Sequence, residues 1–308
     1  MFKAVLADPK LLKSSIDAIS NMIDEAGVSV DEKGIRLRAM DPAHVALVDF
    51  ELKKEAFDEF EFGESIAELQ EILHGKEVEL RKKKAQEIKD LLKEKGLKLD
   101  GTKDELIKRY LETLSDVDKV NEVKGSIVLG LDLDRFNTIL KRAGTSDKIS
   151  LALDEETNSL RIKFENTSTR TFNQPLIGVS EEELKVPNLD FPSIVELSPS
   201  IISEAIKDAD IISDHVTLKV DSGFLYVLAK GDLGNVEVKV AKDEAVQFEA
   251  EKEAQSMFSI EYLKDMVKAS DVANSVRILI GDNLPVKMEF LAPSARLSFL
   301  LAPRIESD

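Results

Sequence analysis

Lysine and arginine are the side chains in this sequence whose placement says most about chemistry. Between residues 76 and 109 there are 12 of them against 8 Asp/Glu, in a chain whose formal net charge is −17. Whole-chain acidity argues against a nucleic-acid binder, but a basic segment of this kind attracts polyanions, so the charge has to be read region by region. Within the segment Thr102 stands where it can cap a helix, and Glu105 three residues later completes a capping box. Other chemistries lack their residues. With no cysteine, disulfides, thiolate metal sites and thiol nucleophiles are excluded. His44, His74 and His215 lie far apart without ligand spacing, so no metal site is expected. The acidic runs Asp154-Glu155-Glu156 and Glu181-Glu182-Glu183 fall in expected loops and read as solvated turns. No catalytic set and no cofactor is expected, and the chain reads as a non-enzyme.

The elements that carry these residues follow from length and repetition. A chain of 308 residues, 43% hydrophobic and 33% charged, fits a soluble protein of two or three domains. No apolar run approaches the roughly 18 residues of a membrane span, and Met1–Pro9 has no signal-peptide pattern. Leu12–Leu37 and Ile201–Val227 each read as amphipathic helix, strand, glycine turn and strand, with Gly34 matching Gly223 at an offset of 189. Leu133–Lys141 and Ile260–Lys268 match as short helices at an offset of 127, each followed by two strands, Lys148–Leu153 and Leu160–Phe164 in one case, Ser275–Ile280 and Val286–Phe290 in the other. The offsets differ by 62 residues, so the first half holds an insertion of that size, placed by pattern at Glu64–Gly125 between a strand within Glu55–Phe62 and one over Ile127–Leu133. The expected fold class is therefore α+β: two similar domains of helices on antiparallel sheets, with a small helical insertion in the first. The expected boundaries are 1–63 plus 126–173, the insertion 64–125, a linker 174–191 and a second domain 192–308.

Three motifs in order carry a family resemblance. Arg38-Ala39-Met40-Asp41-Pro42-Ala43-His44-Val45-Ala46-Leu47-Val48, Leu131–Gly144 and Leu300-Leu301-Ala302-Pro303-Arg304-Ile305-Glu306 resemble the proliferating cell nuclear antigen (PCNA) sliding clamps. The lack of cysteine and Thr169-Arg170-Thr171-Phe172 lean towards archaeal members. The resemblance implies a homotrimeric ring with helices around the hole and curved sheets outside, encircling double-stranded DNA in the cytoplasm, at the nucleoid, with no membrane role. Lys13, Lys141, Arg142, Lys207, Lys264 and Lys268 would then face DNA, although lysine on an amphipathic helix is also simply a solvated face. A ring that slides needs such scattered phosphate contacts and no base readout. DNA polymerase, clamp loader, flap endonuclease and ligase would dock by short peptide motifs in a pocket matched by Met40, His44, Val45, Leu47, Val186, Pro187, Pro285, Ala302 and Pro303. For Met40 and Leu47 core packing is the competing reading, and for His44 a turn role. The trimer seam would pair edge strands at Thr169–Ile177 and Asn235–Ala241. A mixed trimer, or a clamp-like scaffold, is the alternative.

The insertion reads as a short amphipathic helix (Ile66, Leu69, Ile72, Leu73), then a helix ended by Gly96, a turn, and a second helix capped by Thr102. Ile88, Leu91-Leu92, Gly96-Leu97, Gly101-Thr102-Lys103 and Leu106-Ile107-Lys108-Arg109 resemble a SAP motif, a helix–turn–helix DNA-binding module. On that resemblance Gly101, Thr102, Lys103, Lys108 and Arg109 would meet DNA, the helix start offering free amides to a phosphate. The other reading is a charged hairpin that binds protein.

Overall fold

Strand β1 (Phe2–Leu6), helix α1 (Lys10–Ser20) and strands β2 (Glu25–Asp31), β3 (Gly34–Met40), β4 (Ala46–Lys53) and β5 (Glu59–Phe62) open the computed structural model. The structure describes residues 2–63, 75–115, 126–179, 184, 186–187, 189–232 and 234–304. After the insertion come β6 (Ile127–Asp132), α5 (Leu133–Lys141), β7 (Lys148–Asp154), β8 (Ser159–Glu165) and β9 (Thr169–Pro175). The second half runs β10 (Ser193–Leu197), α6 (Pro199–Asp210), β11 (His215–Val220), β12 (Phe224–Gly231), β13 (Gly234–Ala241), β14 (Gln247–Ala250), β15 (Ala254–Ser259), α7 (Ile260–Met266), β16 (Ser275–Ile280), β17 (Val286–Ala292) and β18 (Ala295–Leu301). Both halves thus have one order of elements, strand, helix, five strands, helix, three strands, and the insertion interrupts the first between β5 and β6.

The sheets obey the same repeat. The first half contributes a sheet in the order β5-β1-β7-β8-β9, and the second contributes β13-β12-β11-β15. Their counterparts, β14-β10-β16-β17-β18 and β4-β3-β2-β6, fuse into one nine-stranded sheet because β18 pairs antiparallel with β4, from Ala295↔Leu52 to Leu301↔Ala46. Period-two alternation makes this possible: Val28, Val30, Ile35, Leu37, Val48, Phe50, Phe290 and Phe299 turn inward to one large core.

Turn details separate the two copies. Gly34 has φ +141°, and a Cβ there would lie 2.2 Å from the Leu52 carbonyl oxygen. Its expected match Gly223 has no such φ; that turn is held by Asp221, which accepts from the Gly223 and Phe224 amides at 2.8 and 2.9 Å. Gly130 is demanded by close approach: the Ile177 amide donates to its carbonyl at 3.0 Å, and a Cβ would strike Ile177 O at 2.0 Å. The strand expected within Glu55–Phe62 begins only at Glu59, because 54–56 form a 3-10 turn.

The insertion holds a helix over 75–82 (α2), α3 (Ala85–Glu94) and α4 (Lys103–Ser115). Leu80, Ile88, Leu92, Leu106 and Ile107 form a core of their own, with Leu91, Leu97, Leu99, Tyr110 and Leu111 against it. Gly96 ends α3 at φ +68°, with its amide bonding Lys93 O at 3.0 Å and the Leu97 amide bonding Leu92 O at 2.9 Å, a Schellman motif. Leu80 supplies a buried side chain the sequence reading did not include. The expected helix at Ile66–Leu73, the insertion's two ends, the Glu181–Glu183 run and His74 lie outside the described residues.

Candidate nucleic-acid and partner interfaces

Helices α1, α5, α6 and α7 lie together on one side of the sheets, α1 against α5 and against the 3-10 turn Val267–Asp271 that follows α7, α6 against α7 and the same turn. Each buries an apolar stripe: Leu12, Ile16 and Ile19 on α1, Phe136 and Leu140 on α5, Ile202 and Ile206 on α6, Leu263 and Met266 on α7. Asp132 caps α5 by accepting from the Arg135 amide at 2.8 Å. The helices and the turn carry seven Lys/Arg and eight Asp/Glu, close to neutral in a strongly acidic chain.

The expected DNA-facing cations are on this layer, and most have an acidic neighbour. Lys141 meets Asp17 at 2.6 Å, Lys264 meets Asp210 at 2.7 Å, and Lys207 and Lys268 meet Glu204 and Asp265 at 2.8 Å each. Lys13 donates to Ala143 O. Arg142 is exposed, with its carbonyl held by Arg170 at 3.0 Å. Asp17 is the hub: burial pushes its carboxyl up, but Lys141 and the Asn137 amide, 2.9 Å away, outweigh that and hold it below the ordinary value. Surface pairs of this kind are worth about 0–1 kcal/mol, so they hold these lysines only weakly.

The expected peptide pocket gathers where the two halves join. Met40, Leu47 and Leu300 stand in one cross-strand row, the Ala302 amide donates to Val45 O at 2.8 Å, and Pro285 precedes Val286, which pairs with Leu301. Leu47 is 4% exposed yet outside the main core, on the sheet face it shares with Asp49. Val45 is 36% exposed. Val186 is half-buried and Pro187 exposed, in a segment anchored by Arg38, which donates to Leu184 O at 3.1 Å. Ala302 and Pro303 are half-buried. His44 sits at φ +60° in a tight turn, its amide bonding Asp41 O at 2.9 Å.

Asp41 organises that turn, a role the sequence reading missed. Its carboxylate accepts from the Ala43, Val45 and Ala46 amides at 3.1, 2.8 and 2.7 Å and from the Tyr262 hydroxyl on α7 at 2.7 Å. Burial would raise Asp41, but these donors overcome it and hold the carboxyl below its ordinary value. Burial and the Asp41 carboxylate push Tyr262 up to about 12. Because the folded-state value lies above the ordinary 10.0, the link's contribution is whole at lower pH and fades as pH climbs through about 12. Ultraviolet titration of the three tyrosines should show Tyr262 ionising near 12, and Asp41→Asn should bring it down; an unchanged titration would dismiss the link.

In the insertion, Thr102 and Glu105 form the expected capping box: Glu105 accepts from the Thr102 amide at 2.6 Å and hydroxyl at 3.0 Å, which lowers its carboxyl from the ordinary value. Lys103 and Arg109, expected to be exposed, are half-buried and turned inward. Lys103 donates to Arg81 O at 2.8 Å, and Arg109 to Lys98 O and Asp100 O at 2.7 and 2.8 Å. They tie α4 to the end of α2 and to the turn before α4, because the turn's carbonyls have no partner in a ladder. Lys108 is exposed, and Gly101 has φ +116°. Among the described residues no group of three or more His, Asp or Glu is placed to hold a metal, and no helix is long and apolar enough to cross a membrane.

Comparison with known proteins bears on the family and the fold. Models of the PCNA N-terminal and C-terminal domains match residues 1–73 and 185–305, and the SAP domain model matches 79–115. DNA polymerase sliding clamps of Methanococcus maripaludis and Methanobrevibacter smithii are 32% and 30% identical, each alignment covering 100% of both chains. The chain belongs to the proliferating cell nuclear antigen family of DNA sliding clamps. The Thermococcus gammatolerans clamp is 32% identical over 99% of both chains. The crystal structure of PCNA from Thermococcus kodakaraensis superposes with a TM-score of 0.73 at 21% identity, covering 99% of this chain and 100% of that one. A family member of this kind is a processivity factor, not an enzyme, and this one carries a SAP domain within its first half.

Proposed function

We propose that three copies of this clamp close into a ring around duplex DNA, slide on it, and hold polymerases and other replication or repair enzymes at the loop around Val45 and Ala302. One observation carries the ring. Strands β9 and β13 are open sheet edges, and by the internal repeat they are the counterparts of β18 and β4, which pair with each other inside the chain. The lengths agree: β9 and β18 have seven residues each, β13 and β4 eight each. Pairing β9 of one copy with β13 of the next repeats a joint the fold already makes, and head-to-tail repetition of one joint closes a ring when the rotation per copy completes a full turn. Of the expected seam Thr169–Ile177, the last two residues bond inside the chain, Leu176 to Asn158 O and Ile177 to Gly130 O, at 3.0 Å each.

In that ring the α1, α5, α6 and α7 layer faces the duplex, with Lys13, Lys141, Arg142, Lys207, Lys264 and Lys268 as its phosphate contacts. Met40, His44, Val45, Leu47, Val186, Pro187, Pro285, Ala302 and Pro303 serve the peptide motifs of partners. The SAP insertion, from about residue 64 to 125, adds a second DNA contact, and the clamp works with cytoplasmic archaeal DNA. Topology provides the test. Clamp placed on a nicked duplex circle by a loader should stay bound through gel filtration in high salt and should be lost when the circle is cut once. Equal loss from circle and linear DNA would refute encirclement.

A further inference from the structure

The insertion's charges are sorted by face on α3. Ile88, Leu91 and Leu92 point to the small core; Glu87, Asp90 and Glu94 occupy one flank; Lys89 and Lys93, one turn apart, occupy the other. Asp90 and Glu94 are likewise one turn apart, so the helix sets like charge beside like charge on both flanks, an unfavourable arrangement that exchanging Lys93 and Glu94 would relieve. Asp90, three residues before Lys93, accepts instead from Gln86 at 3.1 Å. Helix α2 does the opposite: Lys76 and Lys83 pair with Glu79 at 2.8 and 3.6 Å, and Arg81 with Glu77 at 2.8 Å. Lys103 and Arg109 are spent on carbonyls, and Glu105 already occupies the Thr102 amide at the start of α4, where Asp104 adds further negative charge. Among the described residues Lys89 and Lys93 have no carboxylate partner, unlike four of the six cations expected on the ring helices.

We propose that the Lys89–Lys93 flank of α3, and not the start of α4, is the surface through which the insertion meets the phosphate backbone of duplex DNA. The proposal rests on the reading that the insertion binds DNA. Unpaired lysines at i and i+4 approach a phosphate strand without first giving up a protein partner, and Lys82 and Lys84 just before the helix strengthen the field at that end. The acidic flank lies about a third of a turn round the helix from the lysines, so a polyanion is drawn to one side of α3 and repelled from the next. Contacts of this kind position a protein and read no sequence.

Amine acetylation of the full chain, mapped by mass spectrometry with and without a covalently closed duplex circle and no loader, tests the assignment, since a closed circle cannot thread a closed ring. Lys89 and Lys93 should be protected several-fold relative to exposed Lys98. Lys89→Gln with Lys93→Gln should flatten the salt dependence of circle binding by roughly 1.8, about 0.9 per lost phosphate contact, without changing native mass. Protection confined to Lys98, Lys103 or Lys108, or an unchanged salt slope, would overturn the α3 assignment while leaving DNA binding by the insertion intact. No protection anywhere in 76–109 would overturn both.

Discussion

Val45→Glu should remove the binding of a polymerase-type tail peptide while the chain keeps its melting temperature and native mass. Val45 is 36% exposed and its carbonyl accepts from the Ala302 amide at 2.8 Å, so a carboxylate at this position lies beside the apolar row of Met40, Leu47 and Leu300. Burying it under a bound apolar anchor leaves an uncompensated charge. Truncation at an interface hot spot costs at least about 2 kcal/mol, roughly 30-fold in affinity, and a buried charge costs more. Leu47 is the less informative position. At 4% exposure it is already packed within the chain, and Leu47→Glu would confound loss of the pocket with loss of the sheet. Calorimetry showing full affinity in Val45→Glu would refute the pocket.

Prolines at Glu237 and Lys239 should bring the native mass down from three times 34.2 kDa to a single chain. The Lys242 amide donates to Gly223 O at 2.9 Å, which fixes the ladder: even-numbered amides of β13 face β12, and those of Asn235, Glu237 and Lys239 face the open edge. Glu237→Pro with Lys239→Pro therefore deletes two outward donors and no bond to β12, a substitution an edge strand tolerates. The same count on β9, from the Leu176 amide to Asn158 O, turns the Thr169, Thr171 and Asn173 amides outward to meet it. Light scattering that still reports a trimer, with the thermal transition unchanged, would place the seam elsewhere.

Most of the scaffold is legible in the sequence because it is written twice. The helix starts at Leu133 and Ile260, the strands Lys148–Asp154 and Ser275–Ile280, and the valines of β13 each carry a local period, and the offset between copies exposes the insertion. What stays hidden is pairwise and distant. Asp41 and Tyr262 are 221 residues apart, and neither breaks a pattern. Asp41 before Pro42 signals only a turn. The inward use of Lys103 and Arg109 was equally invisible, since a cation on a short helix reads as solvated until the carbonyls of the neighbouring turn are known to be within reach. Nor does a glycine announce its φ: Gly34 and Gly223 align, yet only Gly34 is in the left-handed region. The ion pairs across helices, Lys141 with Asp17 and Lys264 with Asp210, depend on packing that no single segment encodes.

The β18·β4 joint is covalently leashed, because its two strands belong to one polypeptide. The counterpart proposed between copies, β9 with β13, would have no leash. Breaking a leashed joint leaves the partners at a high effective concentration set by the connecting chain, so it re-forms at once, whereas an unleashed joint obeys the bulk concentration of subunits. Six topologically equivalent seams in a ring would therefore divide into three that ignore dilution and three that respond to it. In such a ring only the seams between chains would stay apart long enough to admit DNA, so a machine that opens it would need no signal to choose among them.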